Sequence, residues 1–476
     1  MKAEQNQKVG IIDIGSNSVR MVVYHAPNRV PLPLYNEKHF CGLGASIAKN
    51  GRLDKSGKDE ARDALLRFKE MAHRLSITSL DILATAALRD AEDADAFREE
   101  LETLMELPIH VISGKEEARL AALGVVASFA SPHGIVADLG GGSMEVGILD
   151  NGQLRDLSSA PIGVLREKQH KKLKEHLERL PAPSTAFSTL YAVGGSFRAI
   201  AKMHMKLNLY PLDLLHGYVM KRKQVKKIAE MLSKMTPHKI TKLPGIPKRR
   251  ATCMAYASHL LLALMDRYGS DRVIFSVSGI REGFLYDSLP NAQKAEDPLL
   301  SSAHDLALFC QRHGHYAAEL FEWGKPLFGA MPERSERLRH ACCILSEIAW
   351  QIDPNFRGEW LYNRFVQSSL KGMDHVERVM ISLALYHRHE SKWKEDLKLL
   401  NEEQMLWSKA VGLSLRVASE LTGGISGYLP KTKLYWLKNH LTLELDESSQ
   451  PLLHAKLQKY LDGLGDTLNA LSKRSI

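Results

Sequence analysis

The stretch Asp138-Leu139-Gly140-Gly141-Gly142-Ser143-Met144-Glu145 lies between two short apolar runs, residues 134–137 and 146–149. This pattern predicts a hairpin: a strand ends at a carboxylate, the chain turns through three glycines, and a second strand follows. Glycine permits positive φ and a close approach of the backbone, so the N–H groups of residues 140–143 can cradle an anion. An ordinary glycine-rich turn gives the same pattern, and this stretch alone does not separate the two interpretations.

The hairpin has a carboxylate at each end, Asp138 and Glu145. Such a pair can hold a hard cation, partly through water, next to the phosphate whose charge it screens. We therefore predict Mg2+ at these two residues, with Mn2+ as the alternative.

A second copy of the same layout opens the chain. The apolar residues 9–12 lead into Asp13-Ile14-Gly15-Ser16-Asn17-Ser18, and a second apolar run follows from Val19. Aligning Asp13 with Asp138 pairs Gly15 with Gly140 and Ser18 with Ser143, but it pairs Arg20 with Glu145. Two copies about 125 residues apart predict duplicated α/β halves, each beginning with a phosphate-facing hairpin. The charge difference predicts that the first hairpin contacts phosphate and the second holds the metal.

Further candidates follow other strand patterns. Residues 80–84 form a strand that delivers Thr85 and Arg89 at its carboxyl end, where ligands collect in α/β sheets. The hydroxyl of Thr85 either caps the local backbone or lies next to a bound phosphate. Arg89 either binds the ligand or is a surface charge. A third strand-to-glycine turn, Gly194-Gly195-Ser196, opens a helix and is an anion site by geometry.

Ser113 and Glu116 have capping-box spacing at the start of another helix, which leaves Glu117 without an assigned role. From position alone, Glu117 is either a first-turn carboxylate that compensates the helix dipole or a base that faces a water molecule.

Composition excludes several classes of protein. The 476 residues, 44% hydrophobic and 25% charged, indicate several globular domains without a membrane span or a signal peptide. Five cysteines without CxxC spacing support neither a zinc site nor a disulfide framework, so we expect a cytoplasmic protein. Residues 201–250 carry 13 Lys and Arg against two acidic residues. That window predicts a polyanionic partner, unless it is only a solvated helix face.

The pattern changes after a proline-interrupted linker at 290–300. Residues 301–476 have almost entirely helical spacing, with a strand pattern only at 441–445. We therefore predict three domains, at residues 1–130, 131–295 and 296–476.

Taken together, the motifs resemble the exopolyphosphatase and guanosine pentaphosphate phosphohydrolase (Ppx/GppA) family. The resemblance covers residues 9 to about 290 in register and the remainder more loosely. It is carried by four motifs in the family's order: Asp13-Ile14-Gly15-Ser16-Asn17-Ser18-Val19-Arg20, Ser113-Gly114-Lys115-Glu116-Glu117-Ala118-Arg119-Leu120, residues 138–145, and Ser278-Gly279-Ile280-Arg281-Glu282-Gly283.

The resemblance implies an α/β fold of duplicated actin-like and sugar-kinase-like (ribonuclease H-like) domains, followed by an all-α, HD-like C-terminal domain. It makes Glu117 the catalytic base, which replaces the structural interpretation of that residue. It also places metal on Asp138 and Glu145, and phosphate or nucleotide on Arg20, Arg89 and Arg281. At the position of the HD domain's His-Asp pair the chain has Ser346-Glu347, which argues against a second metal site.

The function implied is exopolyphosphatase: processive release of orthophosphate from the end of inorganic polyphosphate. Alternatives are hydrolysis of pppGpp to ppGpp, an ATP-dependent phosphotransferase, and a non-catalytic alarmone sensor. The expected partners are polyphosphate, or pppGpp and ppGpp, and a second copy of the chain in a homodimer. Neither a membrane nor a specific nucleic acid is expected.

Overall fold

A computed structural model describes residues 7–26, 28–150, 152–166, 172–183, 185–308, 315–329, 331–393 and 398–474. The chain divides into two compact units, Met1–Ala295 and Glu296–Ile476, called here the N-terminal and C-terminal units. Among the described residues, no helix is both long enough and apolar enough to cross a membrane. The four described cysteines are free thiols, and Cys310 lies outside the described residues.

The first half of the N-terminal unit is a five-stranded sheet of order β3-β2-β1-β4-β5. Its strands are β1 Lys8–Ile14, β2 Val19–His25, β3 Leu32–His39, β4 Ser79–Ala84 and β5 Ile109–Val111. Strands β1 to β3 pair antiparallel, whereas β4 joins β1 in parallel. Strand β1 lies at the centre of this sheet, and its side chains Ile11, Ile12 and Ile14 are fully buried. The helices of this half are α1 Ile47–Asn50, α2 Lys55–Arg74, α3 Ala86–Asp90, α4 Ala94–Met105 and α5 Gly114–Ser128.

The second half repeats this layout around the larger apolar core. Its strands are β6 Gly134–Leu139, β7 Met144–Asp150, β8 Gln153–Ala160, β9 Thr189–Val193, β10 Val219–Lys221 and β11 Arg272–Phe275. Their order is β8-β7-β6-β9-β11-β10, so the first five strands match the first sheet position by position and β10 is an addition. The predicted actin-like duplication is thus confirmed. The helices are α6 Leu173–Glu178, α7 Gly195–Leu207, α8 Arg222–Ser233, α9 Pro237–Ile240, α10 Met254–Tyr268, α11 Ile280–Asp287 and α12 Asn291–Lys294, with a 3-10 turn at Lys248–Cys253.

Helices α5 and α11 pack against each other, and each also contacts the sheet of the other half. Ala122 and Val125 of α5 join the buried residues of the second sheet, whereas Leu285 of α11, together with Leu120 of α5, packs against the first sheet. The crossing is close: a methyl group on Gly283 would lie 1.8 Å from the Leu120 carbonyl oxygen, and one on Gly124 would lie 2.2 Å from that of Gly279. Both glycines are therefore required by packing.

The C-terminal unit is helical, with one antiparallel hairpin. The helices are α13 Pro298–Leu308, α14 Tyr316–Gly324, α15 Glu333–Leu345, α16 Arg357–Val366, α17 His375–His387, α18 Glu402–Thr422 and α19 Ala455–Ser472, with 3-10 turns at Lys325–Leu327, Leu429–Lys431 and Glu447–Leu452. The hairpin pairs β12 Thr432–Leu437 with β13 His440–Leu445. It adds a β element to the predicted all-α domain, at the segment whose alternation had indicated a strand.

One smaller feature differs from the sequence-based expectation. The expected linker at 290–300 contains α12 and the start of α13, because Pro290 and Pro298 stand where a helix begins.

Candidate active site

A polar cavity of about 160 Å³ lies between the two halves of the N-terminal unit. It brings together most of the predicted site residues: Gly15, Ser16, Asn17, Ser18, Thr85, Glu117, Asp138, Gly140, Gly141, Gly142, Ser143, Gly194, Gly195, Ser196 and Arg281. Three predicted residues, Arg20, Arg89 and Glu145, are not part of its lining. Segments from both sheets thus converge on one volume.

The two predicted hairpins have the same register. Asp13 faces Arg20 across the first and Asp138 faces Glu145 across the second. In each turn a glycine N–H, of Gly15 or Gly140, donates to the serine carbonyl three residues later at 3.0 Å. This shared turn leaves the intervening backbone facing the cavity.

The tips of the two turns almost touch. A methyl group on Gly142 would lie 2.8 Å from Ala86 Cβ and 3.0 Å from Ser16 Oγ, both of which belong to the first half. A side chain at position 142 would therefore push the halves apart.

Glu117 lies in the first turn of α5 and is only 4% exposed. Its Oε2 accepts a hydrogen bond from Arg89 Nη1 at 2.9 Å, and the same Arg89 nitrogen donates to the carbonyl of Ile112 at 3.1 Å. Burial raises the pKa of Glu117 to about 7, although the charge of Arg89 opposes that shift. The residue is thus a fixed carboxyl group that can exchange a proton near neutral pH.

Asp138 and Glu145 form an acidic pair near Glu117. Burial raises the pKa of Asp138 to about 6 and that of Glu145 well above its ordinary value. Glu145 Oε1 accepts from Ser159 Oγ at 2.8 Å, whereas Oε2 is buried without a hydrogen-bond partner among the described residues. An uncompensated buried carboxylate oxygen is costly unless a proton or a cation satisfies it.

The third glycine turn brings a cation that the pattern did not predict. Gly194 has φ +99°, and a methyl group there would lie 2.4 Å from the carbonyl oxygen of Leu139. Ser196 Oγ accepts from Arg250 Nη1 at 3.0 Å, so the guanidinium lies against this turn. Arg250 is the last residue of the basic window at 201–250.

Four charged residues of the cavity were missed as site residues: Asp13, Lys38, Arg198 and Arg250. Burial lowers the pKa of Lys38 to about 7, helped by the positive charges of Arg250 and Arg198. Burial also lowers the pKa of Arg198 to about 10. Arg198 lies in the first turn of α7, directly after the third glycine turn, so its position could have indicated a role. Nothing in the pattern around Lys38 distinguished it.

The remaining predicted arginines have defined partners. Arg281 Nη1 donates to Asp13 Oδ2 at 2.8 Å, which links the second half to the first hairpin. Arg20 Nε donates to Asn36 Oδ1 at 2.8 Å, so Arg20 faces β3. The basic window is divided: Arg250 reaches the cavity, whereas Lys221, Arg222, Lys223 and Lys226 line a separate surface hollow beside α8.

Comparisons with known proteins cover most of the chain. Residues 22–292 match the Ppx/GppA phosphatase family, and residues 299–472 match the family described as exopolyphosphatase, C-terminal. A solved structure described as the PPX-GPPA enzyme of Aquifex aeolicus is 26% identical and covers 59% of this chain and 99% of its own, with a TM-score of 0.52.

Two further relatives are more distant. A solved exopolyphosphatase from Cytophaga hutchinsonii, 21% identical, covers 59% of this chain and 97% of its own with a TM-score of 0.54, which is a likeness of fold. Retrograde regulation protein 2 of Saccharomyces cerevisiae is 24% identical over 478 residues, which are 86% of this chain and 80% of the yeast protein.

Proposed function

Because the chain belongs to the Ppx/GppA phosphatase family, we propose that it is an exopolyphosphatase that releases orthophosphate processively from the end of inorganic polyphosphate. The observation that carries the proposal is Glu117: a buried carboxyl group, held by Arg89, that faces a cavity built of glycine turns and cations. A base whose pKa lies near the working pH is effective in general base catalysis.

The proposed reaction is attack of water on the terminal phosphoryl group. Glu117 orients the water and accepts its proton, while the turns at 15–18 and 140–143 and the side chains of Lys38, Arg198 and Arg281 hold the phosphoryl oxygens. Phosphoryl transfer passes through a loose transition state, so catalysis rests on positioning and on neutralisation of charge. The shortened chain leaves as the displaced oxyanion.

Asp138 and Glu145 fit a divalent cation, and we propose that they hold Mg2+, with Mn2+ as the alternative. The buried Glu145 Oε2 lacks a partner, and oxygen ligands suit both ions. The described residues contain no cluster of three or more His, Cys, Asp or Glu that could hold a metal, so water and substrate would complete the coordination. When bound, the cation would screen the negative charge of the phosphoryl group.

The lining of the cavity favours an inorganic chain over a nucleotide. None of the described residues that line it is aromatic, and its cations lie on both halves. Bases are commonly held by stacking on aromatic rings, whereas a phosphate chain needs only donors and positive charge. The names of the Cytophaga relative and of the C-terminal family agree with this preference.

Initial-rate assays of orthophosphate release test the substrate. We expect kcat/KM to rise with polyphosphate length and to exceed the value for pppGpp. A clear preference for pppGpp would overturn the exopolyphosphatase assignment in favour of ppGpp formation.

The base is tested by Glu117→Gln, which keeps the size of the side chain but cannot accept a proton. We expect kcat to fall by about 10²–10⁴-fold, the usual contribution of a positioned base. The matched control is Glu116→Gln, because Glu116 is half-exposed and pairs with Arg119 at 2.8 Å outside the cavity. Equal rates for Glu117→Gln and the unmodified chain would exclude this base.

A second candidate function is regulatory, because the name of the yeast relative describes a regulation protein. A regulator of this kind would bind phosphate compounds without turnover. The two functions separate in the same assay: release of orthophosphate that depends on Glu117 supports the enzyme, and binding without release supports the regulator.

A further inference from the structure

The C-terminal unit contains a second charged cavity, of about 350 Å³, that the proposed reaction does not use. We call it the C-terminal basic cavity. Its charged and ring-bearing side chains are Glu347, Trp350, Arg357, Arg388, His389, Arg416, Glu420, Lys456 and Tyr460. Four cations therefore share one hollow with two carboxylates.

Both carboxylates are already neutralised by ion pairs. Glu347 accepts from the buried guanidinium of Arg388, which is only 7% exposed and also donates to Ser419 Oγ at 3.1 Å. Glu420 accepts from Lys456 Nζ at 2.9 Å. These pairs leave little negative charge to repel an anion.

The other two cations are held by neutral acceptors. Arg357 donates to the backbone carbonyls of Ile352 and Trp350, each at 2.8 Å. Arg416 donates to Ser391 Oγ at 3.0 Å and stacks 4.3 Å above the ring of Tyr460. Among the described residues, no ion pair joins either guanidinium to a carboxylate. Two positive charges are thus oriented but not compensated.

The protonation state of the histidine in the cavity, His389, is consistent with this excess of positive charge. His389 Nε2 lies 2.8 Å from Arg388 Nη1 and must accept that hydrogen bond, because a guanidinium has no acceptor. Burial and the charge of Arg388 lower the pKa of His389 to about 2, so the ring stays neutral at neutral pH. Arg388 Nε is also buried without an acceptor among the described residues.

We propose that the C-terminal basic cavity binds the oligophosphate group of a small anionic ligand. The planar guanidinium fork matches phosphate oxygens two at a time, and here two forks are held in place before the ligand arrives. The volume lies within the range of small-molecule pockets, which favours a compact ligand over one isolated phosphate. A free inorganic oligophosphate and a nucleoside polyphosphate share this group. The inference does not rest on the proposed reaction of the N-terminal unit.

Calorimetric titration of the full chain tests the proposal, with Glu117→Gln as the background to suppress hydrolysis. We expect inorganic tripolyphosphate to give two binding events, one for each unit. In the same background, Arg357→Ala and Arg416→Ala together should raise the Kd of the event in the C-terminal unit by about 100-fold, roughly tenfold for each charged hydrogen-bonding group lost. The matched control is Arg364→Ala, because Arg364 is exposed on the same helix as Arg357 and does not line the cavity.

Parallel titrations show whether the oligophosphate group belongs to a nucleotide or to an inorganic ligand. Tighter binding of GTP than of tripolyphosphate at the arginine-dependent site indicates a nucleotide ligand, and the reverse order indicates an inorganic one. Unchanged titrations in the double variant overturn the proposal. Equal affinity for inorganic phosphate and tripolyphosphate overturns the oligophosphate assignment. Arg416→Gln alone, combined with the unfolding temperature of each variant, separates loss of the site from loss of the fold.

Discussion

Glu117 and Lys38 face one cavity with pKa values that burial moves toward each other, the carboxyl group upward and the ammonium group downward, both to about 7. A raised pKa makes Glu117 protonated, and therefore inactive as a base, below neutral pH. A lowered pKa makes Lys38 uncharged, and therefore a weaker anion ligand, above neutral pH. As the pH rises, kcat should therefore increase while the affinity for polyphosphate decreases.

For turnover, we expect kcat at saturating polyphosphate to fall about tenfold per pH unit well below pH 7, because the protonated fraction of Glu117 grows. The charge of Arg89 lowers the pKa of Glu117, so Arg89→Met should move this acid limb to higher pH. Profiles of kcat between pH 5 and 8 measure both effects. A flat profile would show that Glu117 does not titrate during turnover.

For affinity, we expect KM for polyphosphate to rise between pH 6 and pH 8 as Lys38 loses its charge. Lys38→Arg keeps the charge throughout this range and should flatten the KM profile, whereas Lys38→Met should give a high KM even at pH 6. A KM profile that is the same in Lys38→Arg and the unmodified chain would assign the titration to another group.

Single residues also show where sequence patterns stop being informative. Ser113 Oγ accepts from the Glu116 N–H at 3.2 Å as expected, but the Glu116 carboxylate pairs with Arg119, so the predicted capping box is only half formed. Lys38 and Arg250 lie far apart in the chain and meet only through the fold. Their proximity depends on tertiary packing that no local pattern encodes.

At the scale of elements, the crossing of α5 and α11 is the most constrained contact. We expect Gly283→Ala to destabilise the N-terminal unit by about 3 kcal/mol or more, because its methyl group would overlap a backbone carbonyl that has no alternative rotamer. Scanning calorimetry of the full chain would show this as a lower unfolding temperature. The matched control is Gly463→Ala in α19, where a methyl group meets no atom within 4 Å and Ala should stabilise by roughly 0.5–1 kcal/mol. Equal shifts for the two variants would contradict the packing argument.

The hairpins were predictable because the whole pattern of each is local in sequence. The two apolar runs, the carboxylate and the glycine turn lie within about 16 consecutive residues. The contacts of α5 and α11 with the sheet of the other half were not predictable, because either helix pattern would satisfy either sheet. The β12–β13 hairpin was predicted only in part, since its first strand, Thr432–Leu437, carries Lys433 and Trp436 in no clear alternation.

At the scale of the molecule, every residue that lines the candidate active site lies in the segment from Asp13 to Arg281. The solved Aquifex and Cytophaga relatives cover 59% of this chain yet are matched over almost their whole length. We therefore expect residues 1–295 alone to fold and to hydrolyse tripolyphosphate with kcat/KM within about tenfold of the full chain, a difference of roughly 1.4 kcal/mol. A fragment that is folded by circular dichroism but inactive would show that the C-terminal unit completes the active site.

Glu117 belongs to a helix that packs on the second sheet, whereas Arg89 belongs to α3, which follows β4 of the first sheet. Their hydrogen bond therefore links two helices that pack on different sheets, and the proton affinity of the carboxylate depends on the distance between these two helices. Separation would remove the guanidinium, raise the pKa further above neutrality and leave the carboxyl group protonated. Water beside the carboxyl group would then meet an acid, and the base would be formed only while the two helices are in contact.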